Sequence, residues 1–399
     1  MLQVLRNRSF RNIWLASMLS MLGSQISRIG LLLYVFDQKG TVANLAALVV
    51  LETLPGALAA PWAGALVDGL DKRSVMVAAD LSRMGFLLVI LVRPSLGAIY
   101  LMAALSSVAS AFFDPARSAA IPLIVKKEDL PLANAAEQSM ANLPMIAGPV
   151  IGALLLRQFG LTISLLLDAF SFLLSAILVA GARIRRVERP KLELSAAVVV
   201  GEILEGWQYL KGHRLALHLN LLLFVALICT GIWTPLAPFF IRTRLGASEH
   251  LLGWQLCLFG VGGALGAMIA PKLVARFGSG ITLFAGFLAE AACLSVYGLV
   301  SRVVYSMVVV LILGVVLSVV VVPFYSILQT IVDEKFLGRV FSLVKQCENV
   351  AVVLAMIAAV TLQGFMGSHL IFLFAGLIYL SFTALSSLSR GGRALLATR

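Results

Sequence analysis

Ionisable side chains are scarce in this 399-residue sequence: Asp, Glu, Lys and Arg make up 13% of it, against about a quarter of a soluble chain. Apolar residues fill 60%. A helix that crosses a bilayer takes roughly 20 residues, so this content is enough for about twelve crossings. A soluble enzyme, a nucleic-acid-binding domain and a disordered chain are excluded; the class is an all-α polytopic membrane protein. Cysteine is also scarce. Cys229, Cys257, Cys293 and Cys347 lie inside apolar runs without CxxC spacing and read as small buried hydrophobes, neither a disulfide framework nor a metal site. His213, His218, His250 and His369 make no metal-ligand pattern, and HExxH, GxSxG and Walker signatures are missing. The expectation is no catalytic site, no metal, no cofactor and no direct ATP drive by this chain.

Acidic residues are fewer than basic ones, 19 against 31, for a net charge of +12. No basic stripe with interleaved aromatics accompanies the excess, so nucleic acid is not the expected partner. Orientation in a membrane explains it, because Lys and Arg collect in cytoplasmic loops.

Apolar runs bounded by charges, Gly or Pro predict spans at 12–36, 42–67, 74–93, 96–121, 135–157 and 161–182, then at 216–241, 251–275, 280–300, 303–329, 340–364 and 369–389. Short connections make neighbouring spans antiparallel. The exception, 183–215, opens Arg183-Ile-Arg-Arg-Val-Glu-Arg-Pro-Lys191 and reads as a cytoplasmic linker, with Val198 to Leu210 as an interfacial amphipathic helix. The chain thus divides into a six-helix bundle at 1–182, the linker, and a second six-helix bundle with a short cytoplasmic tail at 216–399. With the N-terminus inside, 22 of the 31 Lys and Arg fall on the inner side and six outside, while Arg28, Arg83 and Lys345 stay within spans. Both termini are therefore expected to be cytoplasmic. Met1 to Arg11 is short and basic, followed by a run long enough to span, which predicts no cleavable signal peptide.

The halves echo each other. Adding 207 aligns Gly56-Ala57-Leu58 with Gly263-Ala264-Leu265, Leu66-Val67 with Leu273-Val274, Ile124-Val125 with Ile331-Val332, and Asn142 with Asn349. Repeated halves around a midplane site are the architecture of alternating-access transporters.

The turn between the second and third spans reads Gly64-Ala-Leu66-Val-Asp68-Gly-Leu-Asp71-Lys72-Arg73. Its carboxylates and cations can tie two helix ends by charge-assisted bonds; an ordinary turn rich in positive-inside residues reads the same way. In the fifth span, Gly148-Pro149-Val-Ile-Gly152 permits close packing and a bend.

Charges inside hydrocarbon cost about 3 kcal/mol or more and mark candidate pathways. Asp80 and Arg83, three apart, pair on one helical face. Lys345 and Glu348 share that spacing; with Gln346 and Asn349 beside them they either pair or reach a cavity. Glu137, one turn inside its span, reads as hydrated, and Glu290 is a further intramembrane carboxylate. Arg28, Glu52 and Asp168 each sit roughly 10–15 Å from the outer ends of spans one, two and six, deep enough for a cluster. Burial favours a neutral carboxylate and a neighbouring Arg favours a charged one. Glu52 therefore reads as a proton carrier modulated by Arg28, or as half of a static brace.

The loop motif resembles the signature loop of the major facilitator superfamily, with Gly64, Leu66, Asp68, Lys72 and Arg73 matching. Asp71 replaces the usual second glycine, as in the branch of macrolide-efflux and enterobactin-export proteins. The second-half counterpart keeps Leu273, Arg276 and Gly278 but lacks the aspartate. Asn7-Arg-Ser-Phe-Arg-Asn-Ile-Trp14, Phe113-Asp-Pro-Ala-Arg117 through Asn134, and Gly338-Arg339-Val340 are similar to the same branch. The resemblance implies that the loop gates movement of the two halves through Asp68 and Arg73. It likens Gly148, Pro149 and Gly152 to the antiporter motif of drug exporters, with Pro144 and Ala153 where glycines are usual. It also implies that spans one, four, seven and ten face the cavity, offering Ser17, Ser20, Gln25, Ser106, Ser110, Asn220, Trp233, Tyr325 and Gln329. Gly23 is followed by Ser24 rather than the acidic residue of many relatives.

The implied function is proton-coupled export of amphipathic small molecules, macrolide-like drugs or siderophores, by a monomer among the lipids of a bacterial inner membrane, with the proton gradient as energy source. A lysophospholipid flippase and a non-transporting sensor are the alternatives.

Overall fold

The computed structural model describes residues 2–92, 94–185, 201, 205, 207–333 and 336–398. Every regular element among them is helical. The chain divides into two compact units, Met1–Gly40 with Ala47–Ala196, and Thr41–Ala46 with Ala197–Arg399.

In the first unit a short α1 (Leu2–Leu5) precedes α2 (Arg8–Lys39). Asn7 starts α2: its Oδ1 accepts from the N–H groups of Ser9 at 3.0 Å and Phe10 at 3.2 Å, satisfying donors a helix start leaves open. Gly40 ends it with φ 56°, a left-handed conformation that side chains resist. The Asn7–Trp14 motif also staples other elements to this helix. Asn7 Nδ2 donates to the Ile124 carbonyl at 2.9 Å, Trp14 Nε1 to Ala136 at 2.9 Å and Asn12 Nδ2 to Leu178 at 3.2 Å, while Ser9 Oγ accepts from the Arg183 N–H at 2.9 Å. Asn7→Ala removes both cap and staple and is expected to lower stability by about 1–2 kcal/mol, read as a lower melting temperature in detergent.

There follow α3 (Val42–Gly69), α4 (Lys72–Val92), α5 (Leu96–Ala120), 3₁₀ turns at Ile121–Leu123 and Lys127–Asp129, and α6 (Leu130–Ala180). Gly160, at φ 74° and ψ −179°, breaks α6 between the two spans expected at 135–157 and 161–182. The second unit comprises α7 (Arg214–Gly231), α8 (Trp233–Thr243), α9 (Leu251–Phe277), α10 (Ser279–Leu299), α11 (Val303–Ile331), α12 (Leu337–Gln363), α13 (Ser368–Leu388) and α14 (Arg390–Leu396); α7 and α8 share the span expected at 216–241. Among the described residues eleven stretches are long and apolar enough to cross a membrane, and α6 is counted once there. Large apolar side chains such as Val92, Met268, Phe170 and Ile378 are exposed, as suits helices whose solvent is lipid.

Helix contacts bear on the internal repeat. A Cβ on Gly56 of α3 would collide with Ser107 of α5, and the Gly56 N–H donates to Ser107 Oγ at 2.9 Å. At the position 207 residues on, Ser318 Oγ of α11 donates to the Gly263 carbonyl of α9 at 2.8 Å. There Gly262 and Gly266 lie directly against the backbone of Leu311 and Val315, and Gly314 against Phe259. Small residues let the backbones approach this closely. In each half, then, the second span lies on the fourth at the aligned glycine.

Residues 186–200 of the expected linker lie outside the described residues, as does part of Val198 to Leu210. The described end of the linker docks within the second unit. Tyr209 stacks on Phe336 with centroids 4.4 Å apart and accepts from the Asp333 N–H at 2.9 Å. Arg339 of the Gly338-Arg339-Val340 motif pairs with Glu205 at 2.7 Å.

Candidate functional site

Polar residues on α2, α3, α4, α5 and the second arm of α6 converge in the first unit. The stripe Ser164, Asp168, Ser171 and Ser175 repeats at helical spacing on α6, and all four are buried. Ser175 Oγ donates to Asp80 Oδ2 of α4 at 2.6 Å, and Arg83 Nη2 donates to Asp80 Oδ1 at 2.6 Å. Asp80 is fully buried and Arg83 nearly so. Phe113 and Phe172 lie 4.7 and 4.5 Å from the Arg83 guanidinium carbon, where an aromatic ring attracts a cation. The expected local pair is therefore present, sandwiched between two rings.

Asp168 lies in a different environment. Ser27 of α2 donates a short hydrogen bond to its Oδ2, and Ser24 and Ser171 reach Oδ1 at 3.5 and 3.3 Å. No ion pair with Asp168 occurs among the described residues. Gly23 makes room for this arrangement, since a Cβ there would lie 2.7 Å from Asp168 Oδ1 and against Ser171 Oγ. One turn from Ser24, Arg28 pairs with Glu52 of α3 at 3.0 Å, with the side chains 47% and 21% exposed. The two members of this pair are thus wetter than Asp168. All three expected residues line one cavity of about 340 Å³, together with Arg83, Ser106 and Ser110. The serines at 24, 27, 107, 171 and 175 were not among the expected site residues. The stripe on α6 was legible as a helical repeat; their partners across helices were not.

The two motifs brought forward by resemblance are local constructions. In the loop, Asp71 Oδ2 accepts from the Ser74 N–H at 3.2 Å and from Ser74 Oγ at 2.6 Å, capping α4. Lys72 Nζ donates to the Val67 and Leu70 carbonyls at 2.6 and 3.0 Å, closing the end of α3. Arg73 Nη1 reaches the Ala180 carbonyl at the end of α6 at 3.4 Å, so the loop joins three helix ends. The Asp68 side chain lies outside the described residues; Gly64 has open space around it. In α6, a Cβ on Gly148 would strike the Gln25 side chain, and one on Gly152 would lie 2.5 Å from the Ile26 carbonyl oxygen. The two glycines form a seam against α2, and Pro149 between them is buried. Gly152→Leu is expected to part these helices at a cost of about 1–3 kcal/mol, visible as a lower melting temperature.

Other expected residues are bound elsewhere. Glu137, expected to be hydrated, pairs with Arg117 at 3.4 Å and its side chain is 14% exposed; Arg117 also faces Asp114 at 3.7 Å. Lys345 and Glu348 pair at 2.9 Å, and Tyr325 OH donates to Glu348 at 3.1 Å. Ser20 and Asn220 donate to carbonyls of their own helices at 3.1 and 2.8 Å. Gln329 is exposed, and Trp233 lines a cavity of the second unit. There Tyr379 OH donates to Glu290 Oε2 at 2.9 Å, a partner that no sequence spacing pointed to.

Residues 1–388 match the family described as transmembrane secretion effector. Macrolide efflux protein A of Streptococcus pyogenes is 25% identical over 387 residues, covering 92% of this chain and 92% of that protein. The multidrug efflux pump Tap of Mycolicibacterium fortuitum is 26% identical over 358 residues, 85% of each chain. A solved POT family transporter in complex with 5-aminolevulinic acid superposes with a TM-score of 0.79 over 96% of both chains at 11% identity, a likeness of fold.

Proposed function

Because the chain belongs to the transmembrane secretion effector family of major facilitator transporters, we propose that it is an alternating-access exporter of amphipathic small molecules, driven by protons moving inward through Asp168. Membership makes it a membrane transporter rather than an enzyme, and its relatives include efflux proteins. Export of macrolide-like or siderophore-like compounds from a bacterial inner membrane, by a monomer with both termini cytoplasmic, is the finer reading.

The observation that carries it is the environment of Asp168: buried, beside a cavity, and held by hydroxyls instead of a cation. A serine hydroxyl donates to a charged carboxylate and accepts from a protonated one. Asp168 can therefore gain and lose a proton without breaking an ion pair, whereas protonating Glu52 would leave Arg28 without its counter-charge. In this scheme Arg28 and Glu52 modulate the site, Ser106 and Ser110 offer hydroxyls to substrate, and Asp68 and Arg73 gate the loop.

The test uses the purified protein in sealed liposomes containing a pH-sensitive dye. A proton gradient is imposed and macrolide-like compounds, siderophores and lysophospholipids are added in turn. Proton flux evoked by a drug or siderophore, absent from protein-free liposomes, is the expected result. Movement of lysophospholipid without proton flux would replace this reading with a flippase.

A further inference from the structure

The second unit encloses a cavity of about 280 Å³, close to the lower end of ligand pockets at about 300 Å³. Its wall is mostly apolar, with Leu256, Phe259, Leu294 and Leu313 among its residues, and Glu290, Trp233, Thr230 and Thr234 interrupt it. Glu290 is 5% exposed. Tyr379 donates to its Oε2, and among the described residues Oε1 has no hydrogen-bond partner and the carboxylate no ion pair. A carboxylate set in a hydrocarbon wall with one neutral donor is under-compensated. The polar layer of the first unit differs in this respect, because its carboxylates face cations or several hydroxyls.

The chemistry of the wall selects what could compensate Glu290. A magnesium or calcium ion that has shed its water takes about six or more oxygen ligands from the protein, and this largely apolar chamber offers one carboxylate and two threonine hydroxyls. An ammonium or phosphonium with an apolar body fits instead: its charge meets Glu290, its body fills the leucine-lined space, and the indole of Trp233 supplies an aromatic wall of the kind that attracts cations. We propose that this chamber is a binding site for lipophilic monovalent organic cations, with Glu290 as the charge-recognising residue. This names a substrate class for the exporter and rests on that reading only for the step from binding to transport.

The experiment measures binding of radiolabelled tetraphenylphosphonium to the purified full chain in detergent, with tetraphenylborate as an anion of the same shape. Saturable binding of the cation and none of the anion is expected. Glu290→Gln keeps the acceptor for Tyr379 and removes the charge, and should weaken cation binding at least tenfold, while Glu290→Asp restores part of it. Leu313→Trp fills the chamber without touching the charge and should also weaken binding. Equal binding of the anion, no saturable binding by the parent, or parent-like binding by a monodisperse Glu290→Gln protein would overturn the assignment. Binding is read without a membrane or a gradient, so a failure of proton coupling in liposomes leaves this result standing.

Discussion

Asp168→Asn is expected to reduce substrate-evoked proton flux to the level of protein-free liposomes while substrate binding in detergent is retained. Asn has nearly the shape of Asp and can still bond the hydroxyls of Ser27 and Ser171, so the junction of α2 with α6 should survive. What it cannot do is exchange a proton. Lengthening the side chain is no remedy: Asp168 Oδ1 already lies 2.7 Å from where a Cβ on Gly23 would sit, so Asp168→Glu should disturb the α2 contact and also fail. Glu52→Gln is the informative contrast. It removes half of a partly exposed ion pair, so flux should fall without vanishing. Abolition by Glu52→Gln with normal flux in Asp168→Asn would reverse the two roles and return the proton to Glu52.

That contrast shows where reading residues along the chain stops. Spacing placed Arg28, Glu52 and Asp168 at one depth on three spans, and all three do line one cavity. Spacing could not say which carboxylate Arg28 would meet, because rotation of each span about its axis is set by packing. The glycines decide it: Gly23 lies against Asp168 and Ser171, and Gly148 and Gly152 lie against Gln25 and Ile26, so α6 meets the serine face of α2 while Arg28 faces α3. Local pairs were legible for the opposite reason. Asp80 with Arg83 and Lys345 with Glu348 need only one helix, and its 3.6-residue turn fixes them. Glu137 failed as a hydrated residue because its partner Arg117 comes from the preceding helix. The division into spans was legible from hydropathy even at Gly160, where one glycine separates two spans that helical hydrogen bonding runs together.

The buried Asp80–Arg83 pair carries the largest expected effect on stability. Either Asp80→Ala or Arg83→Ala leaves the other member without its counter-charge in a largely buried site, at a cost of about 3–5 kcal/mol. Arg83→Ala should be the more damaging, because it also removes the body packed between Phe113 and Phe172 and leaves Asp80 with only the Ser175 hydroxyl. The double variant Asp80→Asn with Arg83→Met leaves no buried charge and keeps most of the volume. It should melt well above either alanine variant. A thermodynamic cycle in detergent would then give a coupling between the two positions of roughly 1–3 kcal/mol. If the double variant is as unstable as the sum of the singles, the pair is two independent packing residues rather than one electrostatic unit. If it is stable but transport is lost, the Arg83 guanidinium has a role beyond pairing with Asp80, in the cavity that it shares with Asp168, Arg28 and Glu52.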